Sequence, residues 1–160
     1  MDLDKLSRTD RIIAGSGLVL FIASFLPWFD VSASATEFET RSTTGNGWDV
    51  GFIWGGIPAL LGLLAAGMIL ATKLGNAKMP ELPVPYGQLM LGLGGLSGFL
   101  VLLKLLVGED APDDPFAFRD IDISRAWGLF VATLAGIAFA AGGWLAFQEE
   151  KSGTASGPTF

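Results

Sequence analysis

The chain has no cysteine and no histidine among its 160 residues, only one tyrosine, and little charge, with 16% of its residues Asp, Glu, Lys or Arg. The missing cysteine excludes disulfides, thiolate metal sites and cysteine nucleophiles together. The missing histidine removes the commonest general base and the commonest transition-metal ligand. Hydrolase triads and most zinc, haem or copper sites therefore lose their usual residues, and neither catalysis nor a cofactor is expected. No phosphate-binding glycine loop, nucleotide fingerprint or basic patch is present, so nucleic acid is not an expected partner. A soluble domain carries about 25% charged residues. This chain has too little charge to cover its own surface, and with 51% hydrophobic residues its expected solvent is the lipid bilayer.

What the chain has instead is four apolar runs, at about 12–29, 52–72, 86–107 and 126–147. Each is close to the roughly 20 residues that cross about 30 Å of hydrocarbon. Backbone groups in lipid must be satisfied within the segment, so the runs are expected to be helices. The predicted fold is an all-α membrane protein: a four-span bundle, one integral domain over 1–160, with outer loops at 30–51 and 108–125 and a tail at 148–160. The first run has a rival reading as a signal peptide, because Lys5, Arg8 and Arg11 precede it and Ala33-Ser34-Ala35 follows. Its 18 apolar residues exceed the usual 7 to 15 of a signal peptide, which favours a retained span.

Basic residues set the orientation. Six of them (Lys5, Arg8, Arg11, Lys73, Lys78, Lys151) fall on the side of the termini, and three (Arg41, Arg119, Arg125) fall on the other. Both termini are thus expected in the cytoplasm and the protein in the inner (plasma) membrane. Ten of the sixteen acids lie in the two outer loops. Trp28, Trp48, Trp54 and Trp127 sit near outer span ends and Trp144 near an inner one, which suits rings that anchor at headgroup depth.

Helices in lipid associate where small residues let backbones approach. The fourth run has Gly128, Ala132, Gly136 and Ala140 at intervals of four, the third has Gly94 and Gly98, and the second has Gly51 and Gly55. Pro58 is expected to kink the second span. Lys104 is the only ionisable residue in the four runs. Its stem can snorkel to the outer headgroups or pair with Glu109 or Asp110, or it can serve an ion or solute. A carboxylate at mid-depth, which proton coupling would need, is missing from the runs.

The first outer loop, rich in Ser and Thr, is expected to hold short strands, with Gly45-Asn46-Gly47 as a turn signal. The second has six acids between Gly108 and Arg125. It lacks the spacing of a calcium loop and reads as a solvated acidic segment, with Ser124 as a plausible cap for the last helix. The tail from Ser152 is polar and small and is expected to be disordered.

In its first helix closing on Phe25 to Phe29 (FLPWF), and in the Gly47-Trp48 of the following polar loop, the chain resembles small four-span membrane proteins of actinobacteria. In outline it is similar to claudins as well, but the cysteine pair that claudins keep in the first outer loop is missing. The expected role is a non-enzymatic structural or assembly subunit, self-associating or part of a larger membrane complex. The alternative is a small channel or facilitator for a cation or polar solute, using Lys104.

Overall fold

The computed structural model of the protein describes residues 3–36, 39–78, 81–109 and 121–152. The acidic stretch 110–120, the tail 153–160, and with them the expectations for Asp110 and for tail disorder, lie outside the described residues. Four helices run alternately up and down: α1 Arg8–Ala23, α2 Ile57–Lys73, α3 Tyr86–Val107 and α4 Trp127–Lys151. The start of α1 and the end of α4 therefore lie at the same end of the bundle, and α1 packs between α2 and α4 while α4 makes its most extensive contact with α3.

The helices end where local chemistry dictates. Ser7 opens α1 with a capping box: Asp10 N–H donates to Ser7 Oγ (3.1 Å), and Ser7 N–H donates to Asp10 Oδ2 (3.2 Å). Such a box satisfies two backbone donors that the first turn would otherwise leave open. Pro58 lies in the first turn of α2, directly after a π-helical turn at Phe52–Gly56. The proline expected to kink the second span thus falls where the helix changes type, at a place where its missing N–H costs little.

Among the described residues, three segments are long and apolar enough to cross a membrane: Phe52–Lys73, Tyr86–Val107 and Trp127–Lys151. The first run does not match its expected length as a helix. α1 stops at Ala23 after 16 residues, about 24 Å at the α-helical rise, and its first turn carries Arg8 and Arg11. Ser24 and Phe25 then form a turn, and Pro27 begins a strand rather than ending a span. Hydropathy does not separate a lipid-covered helix from backbone buried under protein, and irregular backbone is tolerated at membrane depth only in the second situation.

A three-stranded antiparallel sheet covers this end, in the order β2-β1-β3, with β1 Pro27–Thr36, β2 Glu39–Asn46 and β3 Ile121–Arg125. Thr36 lies opposite Glu39, so the hairpin does not turn at Asn46-Gly47. Asn46 instead closes β2, its Oδ1 accepting from the N–H groups of Trp48 (2.8 Å) and Asp49 (3.1 Å). β3 draws the second outer loop into the sheet, with Asp30 opposite Ser124. Ser124 is therefore a sheet residue. The cap position of α4 falls on Ala126, whose N–H donates to Trp28 O (2.8 Å).

Candidate functional site

The described ionisable side chains that the fold buries gather at the two ends of the bundle. At the end carrying the termini, Asp10 is only 3% exposed. Its Oδ1 accepts from the Tyr86 hydroxyl (3.1 Å), and its Oδ2 lies 3.7 Å from Lys73 Nζ. One carboxylate thus joins α1, α2 and α3. Nearby, Thr9 Oγ1 donates to Glu149 Oε1 (2.5 Å), and Gly87 N–H donates to Glu150 Oε2 (2.5 Å), which brings in α4. Gly87 has no room for a side chain there, because a Cβ would stand 2.8 Å from both Ala146 O and Glu150 Oε2. This clamp is hidden in the sequence because Asp10 sits among Lys5, Arg8 and Arg11, which read as signals of topology or of a signal peptide. The spacing Ser7-Arg8-Thr9-Asp10 is a capping-box signal and could have marked it.

At the sheet end, Lys104 is 6% exposed and forms an ion pair with Glu109. Its ammonium lies 5.5 Å from the centre of the Trp54 ring and 5.7 Å from that of Phe29, within the range at which ring faces attract a cation. Arg125 reaches the same place from β3: its Nε donates to Leu105 O (2.7 Å) and its Nη2 to Leu106 O (3.3 Å). These carbonyls belong to the last turn of α3, which has no intrahelical donors for them. Leu106 is largely exposed, whereas Lys104 faces protein.

The expected interface tryptophans divide. Trp127 and Trp144 are half exposed on α4. Trp54 is partly buried beside Lys104. Trp28 is not at a lipid face: a register shift between Pro27 and Phe29 leaves it as the extra residue of a bulge, and it is wholly buried, with Nε1–H donating to Ala23 O (2.8 Å). Bulges commonly re-aim one side chain in this way. Trp48 Nε1–H donates to Ser24 Oγ (3.0 Å), and Gly47 N–H to Ser24 O (2.9 Å). A Cβ on Gly47 would stand 2.9 Å from the Trp28 ring. The stretch Phe25 to Phe29 and the pair Gly47-Trp48, far apart in sequence, therefore meet in one knot.

The small-residue seams face the interior of the same chain. A Cβ on Gly94 would meet Phe139 O at 2.5 Å, one on Gly98 would meet Gly136 O at 2.8 Å, and one on Gly136 would lie 3.2 Å from Gly98 Cα. A Cβ on Gly98 would also lie 3.3 Å from that of Ala140. Ala132 is buried, and Gly128 packs on the backbone of Pro27. Gly55 packs on the backbone of Gly47, and Gly51 takes a positive φ of 124° where the chain enters the π turn. Gly17 and Gly62, which the sequence reading did not single out, bring α1 and α2 together in the same manner. Ser97, beside this seam on α3, is buried, and its hydroxyl has no hydrogen-bond partner among the described residues.

No group of three or more Asp or Glu that could hold a metal ion occurs among the described residues. Comparison with models of known families, with curated proteins and with solved structures gives no match.

Proposed function

We propose that the protein is a non-enzymatic, four-span membrane protein of the plasma membrane, with both termini in the cytoplasm, and that it serves as a structural or assembly subunit. The observation that carries this reading is how its buried charges are used. Asp10 joins α1 to α2 and α3, and Lys104 is covered by Glu109 and two rings. Charges committed to neighbours in this way support a rigid body more than a reacting centre. The count of basic residues supports the orientation. Although α1 is short for a span, Ser24 and the strand residues Trp28 and Phe29 that follow it are buried and extend the protein-covered path toward the outer surface.

The glycine and alanine seams are spent within the chain, so assembly would use the sheet and the lipid-facing helix surfaces. Gly136→Leu would break the bundle before it reported on assembly. A cleaner test uses the missing cysteines: Ser42→Cys, at an exposed position on β2, should give cross-linked species in native membranes and a blue-native size above that of one chain. Monomers alone in both measurements would sink this reading.

A second reading, a small facilitator for a cation or polar solute, is favoured by one observation: a lysine held under aromatic rings at the outer end of a span. Flux into liposomes that is unchanged by Lys104→Ala would remove it.

A further inference from the structure

The sheet lies across the end of the bundle with one face toward the helices. Opposite residues of paired strands share a face, and the face carrying Phe29, Val31, Ile123 and Arg125 is the inner one. Phe29 is buried, Ile123 packs on the core, and Arg125 bonds to the last carbonyls of α3. Asp30, Ser32, Asp122 and Ser124 lie on the other face. Thr43 stands opposite Val31 and so belongs to the inner face, yet it is exposed, as are Ser42 and Thr44 on either side of it. Side chains alternate between faces along a strand, so both faces of this stretch are open. β2 therefore overhangs the bundle. Among the described residues it pairs with β1 alone, which leaves its outer backbone edge without a neighbouring strand.

Natural sheets block such edges with charge or proline. β3 carries Asp122 and Arg125 within its five residues, whereas Ser42 to Asn46 contains neither a charge nor a proline. The outer loops are otherwise strongly acidic, with ten acids against three basic residues, so the outer surfaces of two copies repel except where an uncharged stretch meets its own counterpart. Symmetry selects the same edge. Two identical strands paired antiparallel are related by a two-fold axis perpendicular to their sheet, and copies inserted the same way in one membrane can share a two-fold only along the membrane normal. Because this sheet lies across the bundle end, the two axes coincide. We infer that β2 is the self-association edge of the protein, pairing antiparallel with β2 of a second copy to join two three-stranded sheets into one. The axis passes Thr43, the middle of the exposed stretch, so Thr43 faces its counterpart and Ser42 faces Thr44 on either side. Backbone bonds supply the affinity, and threonine and serine are favourable cross-strand pairs. The inference rests on the self-association and topology proposed above and names the surface that self-association uses.

The test uses the full-length protein in native membranes. Thr43→Cys should give a disulfide-linked dimer on oxidation, and Ser42→Cys should form one with co-expressed Thr44→Cys far better than with itself. Ser34→Cys, exposed on β1 and one strand in from the edge, should stay unlinked. Thr43→Lys sets two ammonium groups face to face and should lower the dimer's association constant about tenfold, read from blue-native gels. Co-expression with Thr43→Glu should restore the dimer, because each mixed pair then has opposite charges, and that recovery separates repulsion at the edge from misfolding. A dimer unchanged by Thr43→Lys, a loss that Thr43→Glu does not restore, or a Thr43→Cys disulfide formed only with another protein would overturn the pairing. The first of these would leave self-association standing on another surface. Monomers for every variant and for the unaltered chain would overturn both the pairing and the self-association.

Discussion

The two ends of the bundle are closed by different means. At the end with the termini, side chains from all four helices bond directly to one another, through Asp10, Tyr86 and Lys73 and through Thr9, Gly87 and the paired glutamates of α4. At the sheet end the helices are tied mainly by backbone: β1 bonds to strands on both sides, Trp28 O receives Ala126 N–H, and Ser24 receives Gly47 N–H. Among the described residues, the charge pair there, Lys104 with Glu109, joins residues five apart rather than separate helices. The difference follows from chain length. Among the described residues the connection between α2 and α3 forms no strand, and side chains staple the helix ends there. The long outer loops can supply a sheet.

The comparison is broken most severely by removing the shared carboxylate. Asp10→Ala takes one partner from a partly buried lysine and from a partly buried phenol and also removes half of the capping box. Loss of one partner of a fully buried pair costs about 3–5 kcal/mol; Lys73 is partly exposed, so the cost falls below that range, but the change should still lower the thermal midpoint in detergent far more than Asp4→Ala. Asp10→Asn, which keeps an acceptor for Tyr86 and the cap, should fall between. Equal midpoints for Asp10→Ala and Asp4→Ala would show that the clamp carries no stability.

The charge at the opposite end should matter less. Lys104→Ala removes two cation–ring contacts and the packing of a long stem, but Glu109 is about a third exposed and can turn to water. A loss of about 1–2 kcal/mol is expected, discounted for that screening. Lys104→Met, which keeps the stem, should recover part of it. If Lys104→Ala proved as damaging as Asp10→Ala, the contrast between an inter-helix clamp and a local pair would fail.

Much of this architecture is legible in residue patterns, and the misses have physical causes. The runs at 52–72, 86–107 and 126–147 anticipate α2, α3 and α4 closely because a lipid-facing helix must be apolar all round. The run at 12–29 misleads because Trp28 and Phe29 are buried by protein and not by lipid, and hydropathy scores both environments alike. β3 was hidden because Ile121-Asp122-Ile123-Ser124-Arg125 has too few residues to show a period by itself. It becomes a strand only beside β1. Asp10 was overlooked for a related reason: what turns a carboxylate at a helix start into a clamp is Tyr86, 76 positions away. The small-residue ladders gave the right kind of surface but not its partner, since spacing cannot tell whether the facing helix belongs to the same chain.

The mildest test probes the knot at the sheet end. Trp48→Phe removes one hydrogen bond, from Nε1 to Ser24 Oγ, and keeps an aromatic ring between Phe25 and Phe52, whose centres lie 5.9 and 6.5 Å from that of Trp48. The Ser24 hydroxyl still donates to Phe21 O (2.6 Å), so no buried donor is left open, and a cost of about 0.5–1 kcal/mol is expected. Such a change should scarcely move the thermal midpoint. It should instead speed amide hydrogen exchange at Gly47, whose N–H is bonded to Ser24 O, because the sheet end would open locally while the clamp at the other end stays closed. Faster exchange at Gly87 in the same variant would mean that the two ends open as one unit, and the distinction between them would be one of chemistry but not of cooperativity.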